Sequence, residues 1–135
     1  MSANLTTASA QHAWQNAKAL NITLWILQIL AAGMFLLAGG SKLAGAAPMI
    51  AMFEKIGIGQ WFRYFTGGLE VISAVLLLIP RTAAIGAALL AATMVCAILT
   101  HLFIIGGSPA MAVILLVITS TVALTRWNAP SRLRG

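Results

Sequence analysis

The chain has 135 residues, 61% of them hydrophobic and only 7% charged, with a mean hydropathy of +0.98. A soluble domain carries about 25% charged residues, so the composition excludes a water-soluble globular protein and points to a single membrane domain over residues 1–135. The formal charge of +6, eight Lys/Arg against Glu54 and Glu70, does not argue for nucleic acid: the basic residues are scattered and flank apolar segments, where topology and anionic headgroups account for them.

Residues 1–20 are polar, rich in Ala, Ser, Thr, Asn and Gln, with a single Lys18. They do not read as a signal peptide, because the apolar run begins late and continues past signal length; a short surface helix suits them. The first span is predicted over 22–43, roughly 33 Å at 1.5 Å per residue, enough to cross a ~30 Å hydrocarbon core with tilt. Gln28, Ala32, Phe35, Gly39 and Lys42 recur on one helical face, and Gly33, Ala38, Gly39 and Gly40 permit close helix approach. The plainer reading of Lys42 is a charge snorkelling near a helix end.

After Gly45 comes a connector with structure of its own. Pro48 suits a helix start, and Met49, Met52, Phe53 and Ile56 form an apolar stripe opposite Glu54 and Lys55. This predicts a short amphipathic helix lying in the bilayer interface, ended by Gly57 and Gly59. Trp61, Phe62, Tyr64 and Phe65 then make an aromatic belt at the entrance of the second span, 64–80. The Pro80-Arg81 turn forces an antiparallel third span, 82–105, on which Gly86, Leu90, Thr93, Ala97, Thr100 and His101 share a face. Gly106, Gly107, Ser108 and Pro109 make the next turn, the fourth span covers 110–125, and 126–135 is a basic tail. Cys96, the only cysteine, allows no intrachain disulfide and reads as a small buried hydrophobe.

The predicted fold class is therefore all-α: a bundle of four transmembrane helices with an interfacial helix between the first and second. Four spans put both termini on one side, with Lys18, Arg81, Arg126, Arg132 and Arg134. Lys42, Lys55 and Arg63 fall on the other. Five basic residues against three place both termini in the cytoplasm of a multi-pass cell-membrane protein.

Candidate chemistry concentrates where ionisable groups enter the spans. A carboxylate such as Glu70 on a membrane helix costs about 2.5–3.5 kcal/mol on insertion scales and so faces protein or water. By position, Lys42, Glu70 and His101 all fall in the outer third of the bilayer, with Ser73, Thr100 and Tyr64 at similar levels and Arg63 at the helix entrance. Glu70 and His101 are the candidate acid and base; Lys42, Ser73, Tyr64, Thr100 and Arg63 are candidate ligand-binding groups. A plainer alternative pairs Glu70 with Lys42 or Arg63 merely to fix bundle register. One His and one Glu fall short of a metal shell, so no metal site is assigned.

These residues resemble the DoxX-like family of small four-helix membrane proteins. Gly40-Ser41-Lys42-Leu43 is similar to its Gly-x-Lys-Leu motif, Met52-Phe53 and Gly57 with Trp61 to its connector, and Gly67-Gly68-Leu69-Glu70 to its Gly-x-x-Glu. Leu78-Ile79-Pro80-Arg81 is similar to the exit of its second helix; Gly86, Ala97 and Thr100-His101 are similar to its third. The founding members are membrane subunits of thiosulfate:quinone oxidoreductase, and relatives include eukaryotic assembly chaperones. The resemblance implies the fold strongly and a reaction weakly.

Three functions compete. One is a membrane subunit, associated with an oxidoreductase, that binds a quinone or other lipophilic small molecule between its helices. Another is a non-catalytic assembly factor or accessory subunit that binds partner helices. Expected partners are the lipid bilayer, a lipophilic small molecule, and a second copy of the chain or a redox partner subunit. The third is a stand-alone membrane enzyme using Glu70 and His101 on a lipophilic substrate.

Overall fold

The computed structural model describes residues 2–128. It contains α1 (Ser2–Ala44), α2 (Ala47–Ile56), α3 (Trp61–Leu78), α4 (Ala83–Thr100), a π-helical turn (His101–Ile105) that continues α4, and α5 (Ala110–Asn128). No strand occurs among the described residues. Four stretches are long and apolar enough to cross a membrane: Asn4–Ala44, Trp61–Leu78, Ala83–Ile105 and Ala110–Asn128. The protein is a multi-pass, four-helix membrane bundle. Arg132 and Arg134 of the predicted tail lie outside the described residues.

The boundaries differ from the sequence reading in physically simple ways. α1 starts at Ser2 rather than near residue 22, because no Pro or Gly interrupts the chain before Gly33. Its 43 residues measure about 64 Å, roughly twice the hydrocarbon thickness, so its polar first half extends beyond any bilayer. α3 begins at Trp61, which makes Glu70 the tenth of its eighteen residues. α5 runs on to Asn128 and takes in Arg126, which the sequence reading left in the tail.

Packing follows the membrane pattern, in which bulky aliphatic residues face outward and small ones fill the interior. Ile26, Ile29, Leu30, Leu37, Ile72, Val75 and Leu99 are exposed, whereas Ala31, Ala32, Ala74, Ala83 and Ala87 are buried. α1 packs on α3, α3 on α4 and α4 on α5, and α5 touches back on α1 more lightly. Glycine lets two crossings close to backbone contact. A Cβ on Gly39 would lie 2.8 Å from the Gly67 carbonyl oxygen; one on Gly86 would lie 2.6 Å from the Leu77 nitrogen and 2.7 Å from the Ser73 carbonyl oxygen.

A polar cluster fastens the end of the bundle that holds the α3–α4 turn. The last carbonyls of any helix lack intrahelical partners; here the Gln28 side chain donates to Leu77 O at 2.9 Å and the Thr82 hydroxyl to Leu76 O at 2.9 Å. Arg126 then donates to Gln28 Oε1 at 2.8 Å and Asn21 Oδ1 at 2.6 Å, and lies 5.5 Å from the Trp25 ring centroid. One buried Arg thus ties α5 to α1 and, through Gln28, to α3.

Candidate membrane-embedded site

The Gly39–Gly67 crossing builds the charged centre. Long side chains on a helix lean toward its N-terminus, and α1 and α3 run antiparallel. Lys42, one turn beyond Gly39, and Glu70, one turn beyond Gly67, therefore lean toward each other. Lys42 Nζ donates to both carboxylate oxygens, at 3.0 Å to Oε1 and 2.9 Å to Oε2. The carboxylate side chain is 4% exposed and the lysine side chain 13%. A Cβ on Gly67 would meet Lys42 Cβ at 2.9 Å, so the glycine is a steric requirement of the ion pair.

Arg63 supports the pair from behind. It is buried and its guanidinium donates to the Lys42 carbonyl and, at 2.8 Å, to Gln60 Oε1. Its outer surface lies over the Tyr64 ring at 4.3 Å. The end of α1 is thereby clamped at the residue that carries the ammonium group.

Beside the pair lies a partly open cavity of about 360 Å³ between α1, α3, α4 and α5, with α2 across one side. Lys42, Glu70, Thr100 and His101 all line it. The other three predicted site residues do not. Arg63 lies behind Lys42; Ser73 is fully buried one turn from Glu70, with no hydrogen-bond partner for its hydroxyl; Tyr64 is half exposed on the outer surface.

Most of the wall is apolar. Met49, Met52, Phe53 and Ile56 of α2 face the cavity, so the apolar stripe of the short amphipathic helix also forms a lid over it. Periodicity identifies an apolar face but not what it covers, and here Glu54 and Lys55 occupy the opposite, exposed face as read from the sequence. Phe53 packs edge-on against Phe62, 5.9 Å between centroids, while Trp61 and Phe65 remain outside with Tyr64. The Lys55 ammonium donates at 2.7 Å to the Ile105 carbonyl, which joins the lid to the last residue of the π-helical turn.

Cys96, expected to be buried, is exposed and contributes to the wall. Met94 of α4 and Met111, Ala112 and Leu115 of α5 complete it; the sequence reading drew no site from the fourth helix. Four of the six methionines in the chain thus face one cavity. Such flexible, polarisable side chains adapt to ligands of irregular shape. The π-helical turn starts at His101 itself, and such insertions concentrate at functional sites. His101 Nδ1 lies 2.9 Å from the Ala97 carbonyl oxygen. Because a carbonyl only accepts, Nδ1 carries the hydrogen.

No curated protein and no solved structure matches the chain significantly. A family model does match, and it spans both the ion pair and the cavity, from the middle of α1 to within four residues of the end of α5. Over residues 26–124 the chain matches the DoxX-like family, and it belongs to that family.

Proposed function

We propose that this protein is a membrane-embedded subunit that binds a quinone or another lipophilic small molecule, with the polar head beside the Lys42–Glu70 pair and His101 and the apolar remainder under the α2 lid. The observation that carries the reading is one cavity of about 360 Å³ that combines a methionine-rich apolar wall with an ion pair and an imidazole. Small-molecule sites share this construction: a mostly hydrophobic wall and a few convergent polar groups.

The same reading sets the protein in the cell membrane with both termini cytoplasmic, so that α2 and the cavity lie toward the outside. Support comes from the charge count across the connections. In a redox complex, Glu70 and His101 would exchange protons with the bound head while an associated subunit supplied the electrons.

Native mass spectrometry from mild detergent tests the proposal. The parent protein should carry a lipophilic adduct. Ala112→Phe, which fills the cavity from α5, should lose it without losing the folded bundle. Equal retention by parent and Ala112→Phe overturns the cavity as the binding site.

A second reading, an accessory subunit that docks a partner, is favoured by the exposed first half of α1, where Leu5 is 71% exposed. Crosslinking from positions 5–16 in native membranes tests it; crosslinks to lipid alone oppose it.

A further inference from the structure

The hydrogen atoms of the cavity wall are unevenly distributed. On α4 every neutral polar side chain facing the cavity uses its hydrogen within its own helix. Thr93 donates to Leu89 O at 2.8 Å, Thr100 to Cys96 O at 2.8 Å, and His101 Nδ1 to Ala97 O at 2.9 Å. Thr66 on α3 likewise donates to Phe62 O at 3.0 Å. What these groups leave for a ligand is lone pairs: hydroxyl oxygens and His101 Nε2. Glu70 is a carboxylate already occupied by Lys42. Apart from the weakly donating Cys96 thiol, the side-chain donor remaining among the lining residues is the third N–H of the Lys42 ammonium, since the other two serve the carboxylate.

From this asymmetry we infer that the site is specific for a neutral head bearing a hydroxyl group, which gives its O–H hydrogen to His101 Nε2 and accepts from Lys42. His101 is the specificity-determining residue. This narrows the ligand-binding reading above, on which it rests, to heads that carry an O–H; an oxidised quinone, whose carbonyls only accept, is disfavoured. An ether or other acceptor-only head of the same shape leaves Nε2 without a partner in an apolar cavity, a loss of one hydrogen bond. A cationic amine would also donate. However, Lys42 and Glu70 already neutralise each other, and Arg63 adds positive charge behind them, so a neutral hydroxyl is the better match.

The test uses two probes in which that hydrogen is present or replaced by a methyl group, 4-octylphenol and its methyl ether 4-octylanisole. Binding is measured by calorimetry to the protein in lipid nanodiscs, with empty nanodiscs as the blank. The phenol should bind about fivefold to tenfold more tightly, the equivalent of one hydrogen bond. In His101→Phe the ratio should fall toward one, with anisole affinity little changed. Equal affinities in the parent, or tighter anisole, overturn the specificity while leaving the binding site intact. Failure of both probes to bind overturns the binding reading and the specificity with it. Preference for the phenol that persists in His101→Phe overturns the role of His101. A measurement on the parent protein alone guards against a variant that fails to fold: nitrogen NMR of histidine-labelled protein, with His12→Gln for assignment, should find the Nδ1–H tautomer at His101. An Nε2–H tautomer refutes the proposed donor pattern.

Discussion

Charge removal at the Lys42–Glu70 pair separates its structural role from its role toward a ligand. In Lys42→Met a carboxylate whose side chain is 4% exposed keeps no ammonium partner, and breaking a buried pair from one side costs about 3–5 kcal/mol. Glu70→Gln is gentler. Its amide oxygen still accepts from Lys42, whose side chain is 13% exposed, so the loss should be about 1–2 kcal/mol, the range for a weakened charged hydrogen bond. The double variant Lys42→Met/Glu70→Met removes both charges and fills similar volume with apolar chain. Replacing a buried pair this way is often neutral or stabilising, so it should lie within about 1 kcal/mol of the parent.

Thermal unfolding in mild detergent, followed by the fraction that elutes as a monodisperse peak after heating, should rank Lys42→Met lowest, Glu70→Gln next, and the double variant beside the parent. Ligand retention should not follow that order, because the double variant keeps its bundle and loses the polar end of the cavity. A double variant as unstable as Lys42→Met would refute the reasoning. It would mean that the shape of the two side chains at the Gly39–Gly67 crossing matters more than their charges.

Three further outcomes are expected. Gly67→Ala should destabilise by about 1–3 kcal/mol as an overpacked contact, since its Cβ would meet Lys42 Cβ at 2.9 Å; Gly68→Ala, which meets nothing within 4 Å, should be neutral or stabilising by up to about 1 kcal/mol through helix propensity. Equal melting shifts for the two would contradict the close crossing. Arg126→Leu leaves Gln28 Oε1 and Asn21 Oδ1 without their guanidinium donor and should lower stability by about 1–3 kcal/mol, while any ligand that still co-purifies keeps its affinity; a selective loss of ligand would link the two ends of the bundle. With Cys96 replaced by Ala, cysteines at Gly57 and Gly107 should react with impermeant reagent from outside the cell and one at Arg81 should not; the reverse pattern would invert the topology.

Much of the architecture was legible in the sequence because a bilayer is an undemanding reader. Crossing it needs only length and apolarity, so four spans, their antiparallel order and the α2 stripe followed from composition, spacing and turn residues. Lys42, Glu70 and His101 were legible as candidates because charge on a membrane helix is costly wherever it points. Their grouping was legible only as a shared depth, since periodicity assigns a residue to a face of its own helix and never fixes which neighbour it meets.

Tertiary structure alone decided which candidates meet. The glycine crossing brings Glu70 to Lys42 rather than to Arg63, which instead binds the Lys42 backbone, and Tyr64, on the same helix, is turned outward. It also decided what the Met49–Ile56 face covers and that the fourth helix, featureless in sequence, supplies a cavity wall. The Arg126–Gln28–Asn21 cluster joins residues 98 and 105 positions apart, a separation that no local pattern encodes. Local sequence sets helix and face, but contact depends on the distances and rotations at which helices cross, and these are fixed by small residues and buried polar groups acting together.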